Sequence, residues 1–438
     1  MICKDSLFAN KGGNREVQKL SEKWREMGPR AILLVVAIVL ALALIVGVVY
    51  IHVTESRKAE EIRKNNERIQ AENSIRLQLE KKRLDEIFQA TKEEIELLMP
   101  GFICLGDDLT AGNGGGATDY EIVLRDAIKK EVLNLFDLET VVAPEFRNMV
   151  HSLENRYMLP TPSFANWGVS GQSTLATVAI DGGYKIILSQ DLLQPAEIDN
   201  GDLPWMYFEA VRENDNEETA FYPLLGKDFT TMQVIIDIGE GINGTLNRRL
   251  VNDPTAPAAY WFVPDEPLEE DLLIPAGTEI ITRQSMNNRD YFPIILMGMN
   301  DGYETVEELI DQHRALLADK ELYAEGYYLV IGLIDSTPAE EAKFREAFGD
   351  NYLNAREYLV EHGLEAAGIE PTEKDAAAIA RGEVPPSLLN PTGRFLKSTG
   401  YTVLGQEVFR RIDALGYFDA VRAVIADAMT EAQAYVPD

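Results

Sequence analysis

The stretch that decides the fold is "ICLGDDLTAGNGGG", residues 103–116. Its first three residues are apolar and predict a buried strand, while Gly106 and Asp107 predict a sharp turn directly after it. Enzymes of several classes present a nucleophile on such a turn between a strand and the next helix. The residue at the tip is Asp108, a carboxylate. The stretch therefore predicts an active site or an altered form of one.

The composition limits the classes of partner that the chain can have. The 438 residues suffice for one large domain or two ordinary ones, and the hydrophobic fraction of 46% is typical of a protein with a core. A formal net charge of -31 repels phosphate backbones, so we expect no nucleic-acid partner. Two cysteines, Cys3 and Cys104, cannot form a disulfide framework.

An apolar segment near the start predicts a membrane anchor. Residues 31–50 read "AILLVVAIVLALALIVGVVY", without a charge and long enough to cross a bilayer as a helix. We therefore expect a transmembrane helix over residues 31–52. Basic residues precede it, which predicts a cytoplasmic tail over residues 1–30, a single pass through the cell membrane and an extracellular domain.

A charged segment follows the anchor. Residues 53–98 lack Gly and Pro and are rich in Glu, Lys, Arg, Gln and Leu, which predicts a helical stalk. Ile62, Ile69, Leu77 and Leu84 form an apolar stripe, interrupted by asparagines. Two interpretations remain open, a coiled coil that forms a homodimer and a solvated helical spacer.

Beyond the stalk, strands alternate with helices. Helical periodicity is found over residues 119–133, 338–348 and 405–417, and residues 327–335 are a buried-strand run. This alternation predicts an α/β fold with a parallel sheet covered by helices on both faces. Ligands of such sheets bind at the carboxyl ends of the strands.

Four motifs occur in order along this part of the chain: "GDDLTAG" (106–112), "NWGVSGQST" (166–174), "IILMGMNDG" (294–302) and "TGRFLKSTGYTVLG" (392–405). They resemble the four motifs of the SGNH (GDSL-type) hydrolases, and the run before the last motif resembles membrane-anchored bacterial surface members. The resemblance implies a flavodoxin-like three-layer SGNH fold formed by residues 99–177 and 291–438.

The same resemblance implies the positions of the site residues. In that family a serine attacks an acyl carbonyl, a histidine takes its proton and an aspartate orients the histidine. Here Asp108 stands at the serine, Phe395 at the histidine and Thr392 at the aspartate, while Gly168 and Asn300 stand at the oxyanion hole. We expect a pseudoenzyme in which the oxyanion-hole donors satisfy the Asp108 carboxylate and lower its pKa. The alternative is an esterase or O-acyltransferase that uses Asp108 in a non-standard mechanism.

Other residues offer no replacement for the missing base. The four histidines are His52, His151, His313 and His362, and all precede the last motif. We expect no cofactor and no metal, since no further ligand supports the trio Asp107, Asp108 and Asp301. The expected partners follow from the family: an acylated surface polysaccharide, and a membrane acyltransferase or an active paralogue.

Between the second and third motifs the pattern changes. Residues 178–290 contain short strand-like runs separated by Gly, Asp, Asn and Pro, which predicts a β-rich insertion, a small sandwich or barrel. Such an insertion could form the rim of a pocket, an interaction module or a structural elaboration, and the sequence leaves these three roles open.

Overall fold

A computed structural model describes residues 22–23, 28–152, 157–197, 204–206, 208–211, 218–220, 231–238, 241–249 and 259–434. The chain divides into two compact units, Met1–Arg83 and Leu84–Asp438. Most of the predicted cytoplasmic tail, residues 1–30, lies outside the described residues.

The α-helices are α1 (Pro29–Leu98), α2 (Tyr120–Glu131), α3 (Leu138–Val141), α4 (Arg147–Ser152), α5 (Thr174–Ile180), α6 (Arg283–Met286), α7 (Val306–Ala318), α8 (Pro338–Phe348), α9 (Ala355–Glu361), α10 (Gly363–Ala366), α11 (Glu373–Ile379), α12 (Ser398–Ala414) and α13 (Asp419–Gln433). Short 3-10 helices cover Leu133–Leu135, Pro144–Phe146, Glu321–Glu325, Gly349–Asn351 and Pro386–Leu388.

The strands are β1 (Gly101–Gly106), β2 (Ser163–Gly168), β3 (Lys185–Leu188), β4 (Leu192–Gln194), β5 (Trp205–Met206), β6 (Phe208–Val211), β7 (Glu218–Ala220), β8 (Thr231–Ile236), β9 (Ile242–Arg249), β10 (Ala259–Pro264), β11 (Leu272–Ile274), β12 (Glu279–Thr282), β13 (Phe292–Leu296), β14 (Leu329–Ile331) and β15 (Tyr352–Leu353).

The helix α1 runs without interruption for 70 residues. Its N-terminal part contains the apolar segment, which is long and apolar enough to cross a membrane. The charged segment continues the same helix, because it lacks the Gly and Pro residues that would end it.

The compact globular unit begins inside α1, at Leu84, whereas the sequence-based description assigns residues 53–98 to the stalk. The reason is the apolar stripe, since Leu84, Ile87 and Ile95 are buried in the core of this unit. The Tyr157 hydroxyl also donates a 2.8 Å hydrogen bond to Asp85. The last four turns of α1 therefore belong to the folded domain, by the helical repeat of about 3.6 residues.

A five-stranded parallel sheet forms the centre of the globular unit. Its strand order is β2-β1-β13-β14-β15, which is 2-1-3-4-5 when these five strands are numbered along the chain. This is the order of flavodoxin-like doubly wound sheets. Gly106 pairs with Gly168 on β2 and with Leu296 on β13, so these three strands end at the same edge. The predicted α/β fold with a parallel sheet is confirmed.

The sheet separates two hydrophobic cores. Along β1, Phe102 and Cys104 belong to one core and Ile103 and Leu105 to the other, as the alternation of side chains in a strand requires. The first core contains side chains of α2, α12 and α13, and the second contains side chains of α5, α7 and α8. Helices therefore cover both faces of the sheet.

One helix differs from its predicted bounds. The C-terminal pattern over residues 405–417 belongs to α12, which begins at Ser398. Glycines usually weaken a helix, but Gly405 lets α12 pack against α2: a Cβ there would lie 2.5 Å from the Val123 Cβ atom. Gly400 allows a similar close approach, since a Cβ there would lie 2.5 Å from the Leu388 carbonyl oxygen. Tertiary packing therefore overrides the local propensity.

A second sheet lies between β2 and β13 in the chain. Its eight strands are antiparallel, in the order β5-β10-β9-β8-β12-β3-β6-β7, and β4 and β11 form a separate ribbon. Val234, Leu246 and Phe262 are buried in the same core as α5 and α7. The sheet is thus built into the globular unit through a shared core.

Candidate functional site

The polar site lies at the carboxyl edge of the parallel sheet. Asp107 and Asp108 follow β1, Ser170 and Gly171 follow β2, and Asn300 follows β13. Because these three strands are parallel neighbours, the loops after them meet at one edge. The fold therefore brings together residues that are far apart in the sequence.

Four donors converge on the carboxylate of Asp108. Its Oδ1 accepts hydrogen bonds from Asn113 Nδ2 at 2.6 Å and from the Ser170 hydroxyl at 2.9 Å. Its Oδ2 accepts from Asn300 Nδ2 at 2.7 Å and from the Gly171 backbone N–H at 3.3 Å. The residue is only 5% exposed. Both carboxylate oxygens are thus hydrogen-bonded inside the site.

These contacts determine the charge state of Asp108. Burial raises the pKa of the carboxyl, but the hydrogen bonds from Asn300, Ser170, Gly171 and Asn113 together outweigh it and lower the pKa below its usual value. The predicted lowering is confirmed. Since none of the four donors is a titratable group, no proton acceptor is among the direct hydrogen-bond partners that the structure gives the carboxylate within the described ranges.

The structure places Gly171, and not Gly168, at the carboxylate. The Gly168 N–H donates to the Asn166 side-chain oxygen at 2.9 Å and is therefore not directed at Asp108. Gly168 has a packing role instead, because a Cβ there would lie 2.4 Å from the Ala111 backbone nitrogen. The glycine whose N–H reaches the carboxylate is the second glycine of "GVSG" in the second motif.

Asn300 lies between the carboxylate and an arginine. Its Nδ2 donates to Asp108 and, at 3.1 Å, to the Gln172 carbonyl, and its Oδ1 accepts from Arg394 Nη2 at 3.2 Å. The donor and acceptor ends of the amide are therefore both used. The sequence did not single out Arg394, although it stands next to Phe395 in the fourth motif.

Thr392 and Phe395 lie on the loop before α12. Thr392 is exposed, and its hydroxyl donates to Asn390 Oδ1 at 2.8 Å. Phe395 is half-buried beside the glycine-rich loop, where a Cβ at Gly114 would lie 2.9 Å from the Phe395 Cβ. The guanidinium of Arg394 lies 5.3 Å from the centre of the phenyl ring. A phenyl ring cannot act as a base. Phe395 instead provides apolar surface beside the site and an aromatic ring near the Arg394 guanidinium.

Asp107 is buried next to Asp108 and binds the loop that follows β13. It is 1% exposed, and its Oδ2 accepts the backbone N–H groups of Gly298 at 2.9 Å and Met299 at 2.8 Å. Burial raises the pKa of Asp107 to about 6, against the opposing effect of these hydrogen bonds. The side chain thereby connects the turn after β1 to the loop that carries Asn300.

No histidine is among the hydrogen-bond partners that the structure gives Asp108 within the described ranges. His313 is fully buried beside Phe344, its Nδ1 lies 2.7 Å from the Leu309 carbonyl, and burial lowers its pKa to about 4. Within the described ranges, no group of three or more His, Cys, Asp or Glu side chains is arranged to hold a metal ion.

No family model, curated protein or solved structure matches this chain. By its structure, the protein is an α/β protein with a parallel five-stranded sheet and a polar site at the carboxyl edge of that sheet.

Proposed function

We propose that the chain is a membrane-anchored, extracytoplasmic SGNH-like pseudoenzyme that binds an acylated polysaccharide of the cell envelope. The observation that carries the proposal is the Asp108 carboxylate, held by Asn113, Ser170, Gly171 and Asn300 at the edge where such proteins bind ligands. The 2-1-3-4-5 order of the parallel sheet supports the same class.

The geometry argues against turnover. A tetrahedral intermediate needs empty donors aimed at its oxyanion, but Asn300 and Gly171 already donate to Asp108. A carboxylate with a lowered pKa is also a weak base. The phenyl ring of Phe395 cannot activate water. Among the described residues, the donors of the site are thus occupied by Asp108, and no base is among its direct hydrogen-bond partners, whereas acyl transfer requires both free donors and a base.

The setting at the membrane completes the proposal. We assign the single-pass anchor to the apolar part of α1, which is long and apolar enough to cross a membrane. The basic residues before it support a cytoplasmic tail and a globular unit outside the cytoplasm. A membrane acyltransferase or an active paralogue is the protein partner.

Exposed Ile62, Ile69 and Leu77 on α1 support a homodimer through this helix. Sedimentation of chains with and without residues 53–83 would test the homodimer.

Glycan binding tests the proposal. The full-length chain in detergent is titrated with an O-acetylated oligosaccharide and with its deacetylated form. We expect the acetylated form to bind at least about fivefold tighter, a difference of roughly 1 kcal/mol. We expect Phe395→Ala to lose this preference, because the ring forms the apolar wall beside the site. Leu135→Ala, an exposed residue on a remote 3-10 helix, is the matched control. Absence of binding, or equal binding of both forms, would refute the proposal.

A further inference from the structure

Arg394 is held in a defined position at the mouth of the site. One N–H of its guanidinium donates to Asn300, at 3.2 Å, and the group lies 5.3 Å from the ring centre of Phe395. Both contacts are to uncharged groups. Arg394 is exposed, so the face of the guanidinium that these contacts leave uncovered is accessible to a ligand.

No carboxylate forms an ion pair with Arg394 in the part of the chain that the structure describes. By contrast, its neighbours Arg356 and Arg381 are paired with Glu341 and Glu383. The hydrogen bond to Asn300 uses one of the five N–H donors of an arginine. In a chain of net charge -31, the structure positions this guanidinium beside the site without an ion pair among the described residues.

A cavity adjoins this guanidinium. Its volume is about 470 Å³, within the range of small-molecule sites. Arg394 lines it together with the apolar side chains of Ile334 and Leu389 and the hydroxyl residues Ser336 and Thr337. Asp335 is also in its wall. Arg356 and Arg381 also line it, but both are ion-paired with glutamates. The cavity thus offers apolar surface, hydroxyl groups, carboxylates and the Arg394 guanidinium, a lining suited to a sugar ring.

We propose that Arg394 recognises a carboxylate on the bound glycan, so that the ligand is an acylated polysaccharide containing uronic acid. This inference rests on the proposed glycan-binding function and names the class of sugar. Arginine binds carboxylates through two parallel N–H···O bonds, and enough donors remain free on Arg394 for that geometry.

The surroundings limit the ligand to isolated carboxylates. The overall charge of -31 repels densely charged polymers, and Asp335 repels a second anionic group in the same cavity. Asp335 can accept hydrogen bonds from sugar hydroxyls instead. The carboxylate therefore lies at the Arg394 end of the cavity, with neutral hydroxyls toward Asp335.

The test compares two O-acetylated disaccharides, glucuronic acid linked to glucose and the all-glucose form. The full-length chain in detergent is titrated with each at low salt. We expect the wild type to bind the uronate form at least about tenfold tighter, and Arg394→Gln to reduce this ratio to within about twofold. Arg394→Lys should retain part of the preference. Arg314→Gln, at an exposed position on α7 that does not line this cavity, is the matched control and should keep the full preference.

The outcomes separate the two proposals. Binding of both disaccharides by the wild type without a preference, or a preference that survives in Arg394→Gln, would overturn the role of Arg394 and leave glycan binding intact. Absence of binding to either disaccharide would overturn the glycan-binding function and this inference with it.

Discussion

Replacing Asp108 by asparagine should destabilise the protein although the shape of the side chain is kept. The variant retains one carbonyl oxygen, which can still accept from Asn300 and Gly171. The new NH2 group faces Ser170, whose hydroxyl can turn to accept, and Asn113, whose amide then meets a donor. One hydrogen bond is lost and three become bonds between neutral groups.

The magnitude follows from these changes. Hydrogen bonds to a charged group contribute about 1.5–3 kcal/mol and neutral ones about 0.5–1.5 kcal/mol, so replacing four of the first kind by three of the second gives a gross loss of roughly 5–7 kcal/mol. Removing a buried charge recovers part of this. We expect a net loss of about 2 kcal/mol in the free energy of unfolding at pH 7. Because the pKa of Asp108 is lowered in the folded state, the loss should be present above pH 4 and decrease as the pH falls below it.

The assay is urea unfolding of residues 53–438, which contain the whole globular unit and lack the apolar segment. Asp126→Asn, at an exposed position on α2, is the control and should change stability by less than about 0.5 kcal/mol. An Asp108→Asn variant as stable as this control would refute the hydrogen-bonded carboxylate on which the site description rests.

Three further predictions concern the scaffold. Burial raises the folded-state pKa of Asp107 to about 6, so its charged form costs stability as pH rises. Between pH 4 and pH 7 the wild type should therefore lose about 2 kcal/mol relative to Asp107→Asn, and a difference independent of pH in urea unfolding would contradict this. Gly168→Ala should cost about 2–3 kcal/mol, since the new Cβ would meet the Ala111 backbone at 2.4 Å; an unchanged thermal midpoint would contradict it. A chain that starts at Gly101 should fail to fold cooperatively because it lacks the buried end of α1, whereas one that starts at residue 53 should fold; equal unfolding transitions would count against the boundary at Leu84.

Local patterns predict the scaffold well. Helix α8 has the bounds 338–348 that the sequence predicts, because Thr337 and Glu340 form a capping box at its start and Gly349 follows its end. The strand predicted over residues 327–335 is shorter in the structure, Leu329–Ile331. Helical periodicity and capping depend on residues that are close in the sequence, so they can be predicted from one sequence alone.

The site is less predictable because it is assembled from distant loops. Asp108 and Asn300 stand out as motif residues. The contributions of Asn113 and Ser170 follow from how the strand ends meet, and that of Arg394 follows from how the loop before α12 reaches Asn300. The two glycines of "GVSG" look alike in sequence, and only the backbone course decides which N–H reaches the carboxylate.

Ester hydrolysis distinguishes a pseudoenzyme from an active hydrolase. The full-length chain in detergent is incubated with a small acetyl ester beside the Asp108→Asn variant, and acetate release is followed over hours. We expect no turnover above the buffer rate in either protein. Turnover by the wild type that disappears in Asp108→Asn would contradict the pseudoenzyme and make Asp108 a catalytic residue.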